Sequence, residues 1–341
     1  MNARILPTVS VVIPVYNSAS TLERAVRSAM AQSLRHIEIL IADDGSTDNS
    51  AAVALALAAE DQRIQFIRLP KNGGKSRAMN VMIARARGEW IAVLDADDRF
   101  DPHRLLNLIS VAEAHGTDLV ADNLAYFDAG VGRILRTGFP PFAMPKMLTK
   151  QDILSNNNSF ADFDYGLLKP VLRRSFIETH DLRYYENTRL AEDFYYLLSF
   201  FVAGGHGCLV GEALYAWTLP FGTQSRTWTT TGAGAWRYNY REALTANTYF
   251  MAQMQAKGEF DVVAMLRARA AQYRVMIHYL DAQRHAAERR WLAAFSTILR
   301  HPSTYALLFS RVIGRIGRMW SQHQGWRDRT RVTTAAEVST S

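Results

Sequence analysis

The chain predicts an α/β fold built on a mainly parallel sheet flanked by helices, with a helical extension towards its C-terminus. Three observations carry this. Short runs rich in β-branched residues alternate with helix-period stretches from Val9 to Asp122. Two of these runs end in acidic clusters, EILIADDGSTD around Asp43 and Asp44 and WIAVLDADD around Asp95, Asp97 and Asp98. From about Ala233 onward the pattern is helical only.

In order, the predicted strands are SVVIPVY, IEILIADD, IQFIRL, WIAVLDA and DLVADN. Between them, Ser20 and Glu23 have capping-box spacing, and Asp101–Pro102 reads as an N-cap followed by a first-turn proline. Gly88 and Gly116 fall where helices should stop. After Asp122 the alternation loosens into NLAYFDAGVGRILRTGFPPFAMP, read as an excursion over the cleft. A helix is expected after Thr149, a strand near GLLKPVL and a helix near RRSFIETH. In RLAEDFYYLLSFFVAGG, Phe194, Leu197, Leu198 and Phe201 keep helical spacing and Gly204–Gly205 ends it, so Glu192 and Asp193 occupy the first turn. GCLVGEALYAW is a further strand. This layout divides the chain into an α/β part (1–228), an arginine-rich helical extension (229–331) and a polar tail (332–341) expected to be disordered.

Composition excludes several classes. At 341 residues and 48% hydrophobic content the chain can bury a large core. Cys208 is the only cysteine, so neither an internal disulfide nor a cysteine zinc site can form; it reads as a small buried hydrophobe, in keeping with a reducing cytoplasm. The N-terminus runs straight into a strand pattern without a secretory signal, and export is not expected. No segment reaches roughly 18 uninterrupted apolar residues, because the best candidate is broken by Arg300, His301 and Pro302.

The net charge is +7, and arginines crowd the last third from Arg267 to Arg331. Trp291, Leu292, Phe295, Ile298 and Trp320 lie among them, a pattern that suits an anionic membrane surface. A solvated helical face packed on the rest of the protein is the alternative. Nucleic acid is not expected, since no binding motif accompanies the charge.

In open α/β sheets the ligand crevice lies outside the carboxyl ends of the strands, and PVYN, DDGSTD and DADD each follow directly on such an end. These motifs should converge on one cleft. Crowded carboxylates repel by about 4 kcal/mol per pair at 4 Å in a surface-like dielectric, so cations and hydrogen-bond donors should gather there. A hydrated divalent metal carrying a diphosphate fits. Lys75 and Arg77, in a Gly-flanked segment opening a helix, are placed to meet phosphate, with a solvated basic face as the alternative. GGKS is not a P-loop, because position 69, where Walker A needs glycine, is leucine.

Together, PVYN (Pro14–Asn17), DDGSTD (Asp43–Asp48), NGGKSRAMN (Asn72–Asn80), LDADD (Leu94–Asp98) and AED (Ala191–Asp193) resemble the family 2 glycosyltransferases of GT-A fold, in order and spacing over residues 8–225. Met79 departs from the common NGGxSAARN form, and the segment is closer to GK-x-x-AxN variants. The resemblance implies inverting transfer of a sugar from a nucleotide diphosphate, usually a UDP-sugar, with Mg²⁺ or Mn²⁺. It implies Asp97 as metal ligand and Asp95 on the ribose or the metal's waters. Asp98 either supports them from behind or is a helix-start carboxylate. Pro14, Tyr16, Asn17, Asp43 and Asp44 belong to the nucleotide site, with Tyr16 stacking on the base and Asp44 accepting from the uracil imide or ribose. For Asp43 and Asp44, plain turn chemistry stays open. Asp193 is implied as the base, with Glu192 beside it; on a helix the two point about 100° apart, so one should face the acceptor, and plain helix capping stays open for the pair.

Each implied role has a physical warrant. A metal held by hard oxygen ligands neutralises charge on a departing diphosphate, and a positioned carboxylate can take the acceptor proton. Tyr215, Trp217, Trp228 and Trp236 could stack on acceptor sugars, although core packing is the commoner fate. His180 and His206 read as structural.

Metal-dependent phosphoryl transfer is disfavoured because Arg99 follows DADD where a phosphatase DxDx[TV] loop needs Thr or Val. A non-catalytic nucleotide-sugar-binding module would not need both a metal aspartate and a base. The layout is similar to exopolysaccharide enzymes of the succinoglycan type. That implies a peripheral enzyme on the cytoplasmic face of the inner membrane, moving a hexose from UDP-glucose or a similar donor to a polyprenyl-diphosphate-linked oligosaccharide. Lipopolysaccharide assembly or protein glycosylation would use the same parts.

Overall fold

The computed structural model describes residues 6–156, 163–219 and 239–305. Trp228, Trp236, Trp320, the arginines from Arg311 onward and the polar tail lie outside them.

The strands are β1 (Val9–Val15), β2 (Ile37–Asp43), β3 (Ile64–Arg68), β4 (Trp90–Val93), β5 (Arg99–Phe100), β6 (Leu119–Asp128), β7 (Arg133–Thr137), β8 (Lys146–Leu148), β9 (Val171–Arg173) and β10 (Gly207–Leu219). They form a 10-stranded sheet in the order β3-β2-β1-β4-β9-β6-β10-β5, with β7 added to β6 and β8 to β10. β1 runs parallel to β2 and β4, β2 to β3, and β6 to β10. β9 is antiparallel to both β4 and β6, so β4 and β6 point the same way. The carboxyl ends of β1, β2, β3 and β4 therefore share one edge.

The helices are α1 (Leu22–Met30), α2 (Ser50–Glu60), α3 (Lys75–Ile83), α4 (Arg104–His115), α5 (Lys150–Ser155), α6 (Arg174–Thr179), α7 (Glu192–Val202), α8 (Tyr240–Ala256), α9 (Phe260–Ala287) and α10 (Trp291–Arg300). Alternation along the strands sends side chains to opposite faces. Val11, Ile13, Ile39, Ile41 and Trp90 pack with Leu22, Leu57 and Leu105 on one face. Val12, Leu40, Ile91 and Val93 pack with Met79, Met82, Leu198 and Phe250 on the other.

Several local expectations change. Helix α1 starts at Leu22 after Thr21 with no side-chain cap, so Ser20 and Glu23 form no capping box; Glu23 pairs with Arg27 instead. Helix α4 begins at Arg104, and Asp101 accepts from His103 N ahead of it rather than capping at Pro102. Gly116 does end α4, in the left-handed region at φ 62°. Helix α3 stops at Ile83, and Gly88 instead packs on β1, donating its N–H to Ser10 Oγ. The stretch after Asp122 continues β6 to Asp128 and turns back as β7, a hairpin where an irregular excursion was expected. Of GLLKPVL only β9 is strand, preceded by a 3-10 turn at Tyr165–Leu167.

Contacts divide the chain into two compact units, Met1–Ala270 and Ala271–Ser341. The first includes α8 and the opening of α9. Ala246, Phe250, Met254, Val262 and Leu266 share a core with Tyr195, Leu197 and Leu198 of α7.

Candidate active site

A cavity of about 360 Å³ opens at the carboxyl edge of β1, β2 and β4. Pro14, Tyr16, Asp44, Lys75, Asp95, Asp97, Glu192 and Asp193 all line it, together with Asn72, Gly74 and Arg189. Asn17, Asp43 and Arg77 are not among the lining residues.

The loops are locked to one another by their own polar groups. Asn17, at φ 50°, donates its N–H to Ser46 Oγ at 2.9 Å and accepts from Thr47 N at 2.8 Å. Asp43 is buried and accepts from Ser46 N at 3.0 Å, which closes the turn after β2. Asp44 accepts from Gly73 N at 2.9 Å and Gly74 N at 2.7 Å, so its carboxylate pins the segment that leads into α3. Gly74 has φ 93° and Gly45 φ 71°, conformations that favour glycine, and a Cβ on Gly45 would overlap the backbone of Lys71 and Asn72. Arg77 folds back over Gly73 instead of reaching the cavity. Asn80 ties α3 to the Tyr184 backbone in both directions.

The DADD loop is held from behind by β10. Asp98 is buried and accepts from Tyr215 Oη at 2.7 Å and Thr218 N at 2.8 Å, while Asp95 N donates to Tyr215 Oη at 3.1 Å. Arg24 donates to the Asp97 carbonyl at 2.5 Å. Asp98 is thus a support for the loop and not a helix-start carboxylate. Burial, then Asp97 and Asp95, push its pKa well up. Tyr215 is 0% exposed, which rules out stacking on an acceptor, and Trp217 packs on Tyr126 at 5.2 Å between ring centroids. His180 stacks on Phe176, as a structural histidine does.

Across the cavity, Ala191 takes φ 62°, and α7 then presents Glu192 and Asp193 at its positive end. Both line the wall, so the angular separation of adjacent helical residues excludes neither. Two ammonium groups join this wall to the DADD loop. Lys75 Nζ lies 2.9 Å from Asp95 Oδ1 and 2.9 Å from Asp193 Oδ2. Lys169 Nζ lies 2.9 Å from Asp95 Oδ2 and 2.6 Å from Asp193 Oδ2.

The environment separates the neighbouring carboxylates. Burial alone would raise Asp193, but Lys169 and then Lys75 outweigh it and hold its pKa below the usual range. The same balance lowers Asp95. Glu192 is raised, first by burial and then by Asp193. Burial would lower both lysines, yet the facing carboxylates raise them.

The donor set fits a divalent ion that takes much of its coordination from substrate. Asp97 is a hard oxygen donor on the cavity wall, whereas both oxygens of Asp95 contact Lys75 and Lys169, and among the described residues no group of three or more His, Cys, Asp or Glu is arranged to hold an ion alone. Mg²⁺ and Mn²⁺ sites of this kind combine one or two carboxylates with water and phosphate oxygens.

Residues 10–176 match the sequence model of Glycosyl transferase family 2. The chain carries a glycosyl transferase family 2 domain. Its relatives include succinoglycan biosynthesis protein ExoO of Rhizobium meliloti, 37% identical over 223 residues, 65% of this chain and 63% of that one. ExoU of the same organism is 38% identical over 198 residues, 57% of each chain. The chain thus spans less than two thirds of the length of these curated relatives. Among solved structures, S. aureus TarS 1-349 in complex with UDP-GlcNAc superposes at a TM-score of 0.56 with 15% identity, covering 84% of this chain and 79% of that one. The mannosyltransferase PcManGT from Pyrobaculum calidifontis, in complex with GDP-Man and Mn2+, gives 0.53 with 16% identity over 91% and 80%. The fold is GT-A.

Around the family 2 domain's cavity, motif reading passes over Lys169, Arg189 and Arg104. Lys169 sits in a segment read only as a strand, and Arg189 in the loop before α7. An unbroken apolar run containing one lysine before a proline, as in GLLKPVL, was the available signal for Lys169.

Proposed function

We propose that this chain is a metal-dependent inverting glycosyltransferase that moves a hexose from a nucleotide diphosphate sugar to a hydroxyl of a lipid-linked oligosaccharide. The observation that carries the reading is the meeting of the DAD and ED carboxylates across one cavity, at which the PVY, DDG and NGGK loops also end. UDP-glucose or a similar UDP-hexose is the donor proposed. Tyr16 stacks on the base and Asp44 accepts from nucleoside donors with the lone pairs that Gly73 and Gly74 leave free. Lys75 and Arg189 meet the diphosphate.

Asp97, with Asp95 on the ribose or ordered water, would hold Mg²⁺ or Mn²⁺, which supplies charge neutralisation for the departing diphosphate. The acceptor oxygen attacks the anomeric carbon on the face opposite the leaving group. The bond from that carbon to the β-phosphate oxygen breaks with its electron pair leaving on the nucleoside diphosphate. Asp193 takes the hydroxyl proton, and the product has inverted configuration. The ammonium contacts keep Asp193 ionised for this task.

Similarity to succinoglycan biosynthesis proteins supports exopolysaccharide assembly as the setting, with a polyprenyl-diphosphate oligosaccharide as acceptor. Among the described residues no helix is long and apolar enough to cross a membrane. The placement proposed is peripheral, on the cytoplasmic face of the inner membrane, and helix α10 supports the contact with a lipid surface. Its Trp291, Leu292, Phe295 and Leu299 are 66%, 87%, 63% and 55% exposed. They fall within about 100° of arc, between Arg289–Arg290 and Arg300.

The test is nucleotide release from UDP-glucose, UDP-galactose, UDP-N-acetylglucosamine and GDP-mannose, with Mn²⁺ and a polyprenyl-diphosphate oligosaccharide. Wild type should turn over one of these, and Asp97→Ala should lose metal-dependent donor binding. Background release from all of them would sink the reading.

A further inference from the structure

Lys169 stands apart from the other cations of the site. Lys75 and Arg189 line the cavity, whereas Lys169 does not, and its side chain is only 12% exposed. It approaches the site from behind, between the DADD loop and the start of α7. Its Nζ touches Oδ2 of Asp95 and Oδ2 of Asp193, and Lys75 takes that same Oδ2 of Asp193. Asp193 Oδ1 is left enclosed with no hydrogen-bond partner. Both ammoniums thus grip Asp193 through the same oxygen, fixing its carboxylate at the cavity wall between the DADD loop and the start of α7.

The backbone of Lys169 is fixed as firmly as its ammonium. Pro170 follows and confines it to extended conformations. Its carbonyl accepts from Arg104 Nη2 at 2.5 Å. Arg104 is fully buried, pairs with Asp122 at 2.7 Å, and lies over the rings of Phe100 at 4.4 Å and Tyr215 at 5.2 Å. Tyr215 is the residue whose hydroxyl holds Asp95 N and Asp98. One buried guanidinium therefore references both the lysine and the DADD loop.

We propose that Lys169 is a positioning residue for the sugar transfer, holding the Asp193 carboxylate by Oδ2 at the cavity wall, where it takes the proton of the acceptor hydroxyl. This rests on the transferase reading given above. A merely structural ion pair would alter stability and leave kcat of the folded variants close to that of wild type. The groups facing Asp193 are Lys75 from α3, Lys169, Asp95 from the DADD loop, Tyr184 from the loop before α7 and Glu192 on its own helix. With Lys169 removed, one of two ammoniums is lost and Asp193 binds its proton more readily. The acidic limb of the rate profile then moves to higher pH.

The experiment compares Lys169→Met, Lys169→Gln and Lys169→Arg in the full chain, with far-UV circular dichroism to establish folding. Lys169→Met should lower kcat at least about 100-fold while the donor KM changes less than about threefold, and its acidic limb should shift upward. Lys169→Gln, which keeps a hydrogen-bond donor without charge, should show the same shift, so that failure of the methionine variant to fold still leaves a decisive variant. Lys169→Arg should restore the limb and part of kcat. Turnover within about threefold of wild type in the uncharged variants, or an unmoved limb, overturns the assignment. If wild type turns over no donor, the transferase reading fails. The ¹³C carboxyl titration of Asp193, identified by its loss in Asp193→Asn, then decides, and equal midpoints in wild type and Lys169→Gln overturn the assignment.

Discussion

Tyr195 stacks on Phe250 with ring centroids 4.5 Å apart and planes 2° from parallel. The helix that carries Asp193 is thereby fixed against α8, far along the chain from every motif. Tyr195 Oη also donates to Asn247 Oδ1 at 3.2 Å, and Asn247 donates to the Leu266 carbonyl at 2.8 Å. Arg269 lies 3.7 Å over the ring of Phe194. Both neighbours of Asp193 on its C-terminal side are thus held by the helical segment. Phe250→Ala should cost about 3–5 kcal/mol in urea unfolding, and should lower kcat in the fraction that stays folded.

Asp193 and Glu192 can be told apart by pH. Asp193 is lowered and Glu192 raised. A base must be ionised, so turnover fails as pH falls through its pKa. With Asp193 as base the acidic limb of kcat/KM lies below the ordinary carboxylate range, and Glu192→Gln leaves it there. Asp193→Asn should lower kcat by about 10²–10⁴ with donor affinity nearly unchanged. A limb above the ordinary range that vanishes in Glu192→Gln would transfer the role to Glu192.

The Arg104–Asp122 pair is 0% and 1% exposed. Removing one partner leaves a buried charge, so Arg104→Met should destabilise by about 3–5 kcal/mol. The double variant Arg104→Met, Asp122→Leu should recover part of that loss. A urea double-mutant cycle measures it, and a strictly additive result would show that the two groups do not interact.

Glu38, near the start of β2, is 3% exposed. It accepts from Ser10 Oγ at 2.6 Å, Arg87 N at 2.7 Å and Arg87 Nη2 at 2.7 Å. Burial would raise its pKa, but Ser10 and Arg87 outweigh burial and lower it. A depressed folded pKa contributes stability above the unfolded pKa, and that stability is lost as pH falls through the folded value. Glu38→Gln should therefore reduce stability at neutral pH and flatten its decline below about pH 4, measured by urea unfolding across pH.

Helix α10 should anchor the protein to lipid. Wild type is expected to cosediment with vesicles containing anionic lipid more than with neutral ones, and Leu292→Glu with Phe295→Glu should abolish this without changing thermal stability. Cosedimentation undiminished in the double variant would remove α10 from that role.

Much of the fold was legible from sequence because strand and helix periods are local properties. SVVIPVY, IEILIADD and WIAVLDA appear as β1, β2 and β4 within a residue or two at most ends, and their acidic termini share an edge because parallel strands put like ends together. Caps were less legible. Ser20 matched a spacing, but the chain enters α1 through turns fixed by Ser50 and Asp48, contacts about 30 residues distant in sequence. β7 was missed because its residues are exposed and alternate only weakly.

By itself the sequence determined the motif order, the acidic strand ends and the ED pair opening a helix. Those are readable because each motif lies within a few consecutive residues whose placement follows from the element they terminate. Only the tertiary structure decided which carboxylates share ammonium groups, that Tyr215 backs the DADD loop instead of meeting a sugar, and that α8 braces α7. Lys169, Arg104 and Tyr215 converge from segments widely separated along the chain. Such a network depends on side-chain directions and buried charge balance, which no run of neighbouring residues encodes.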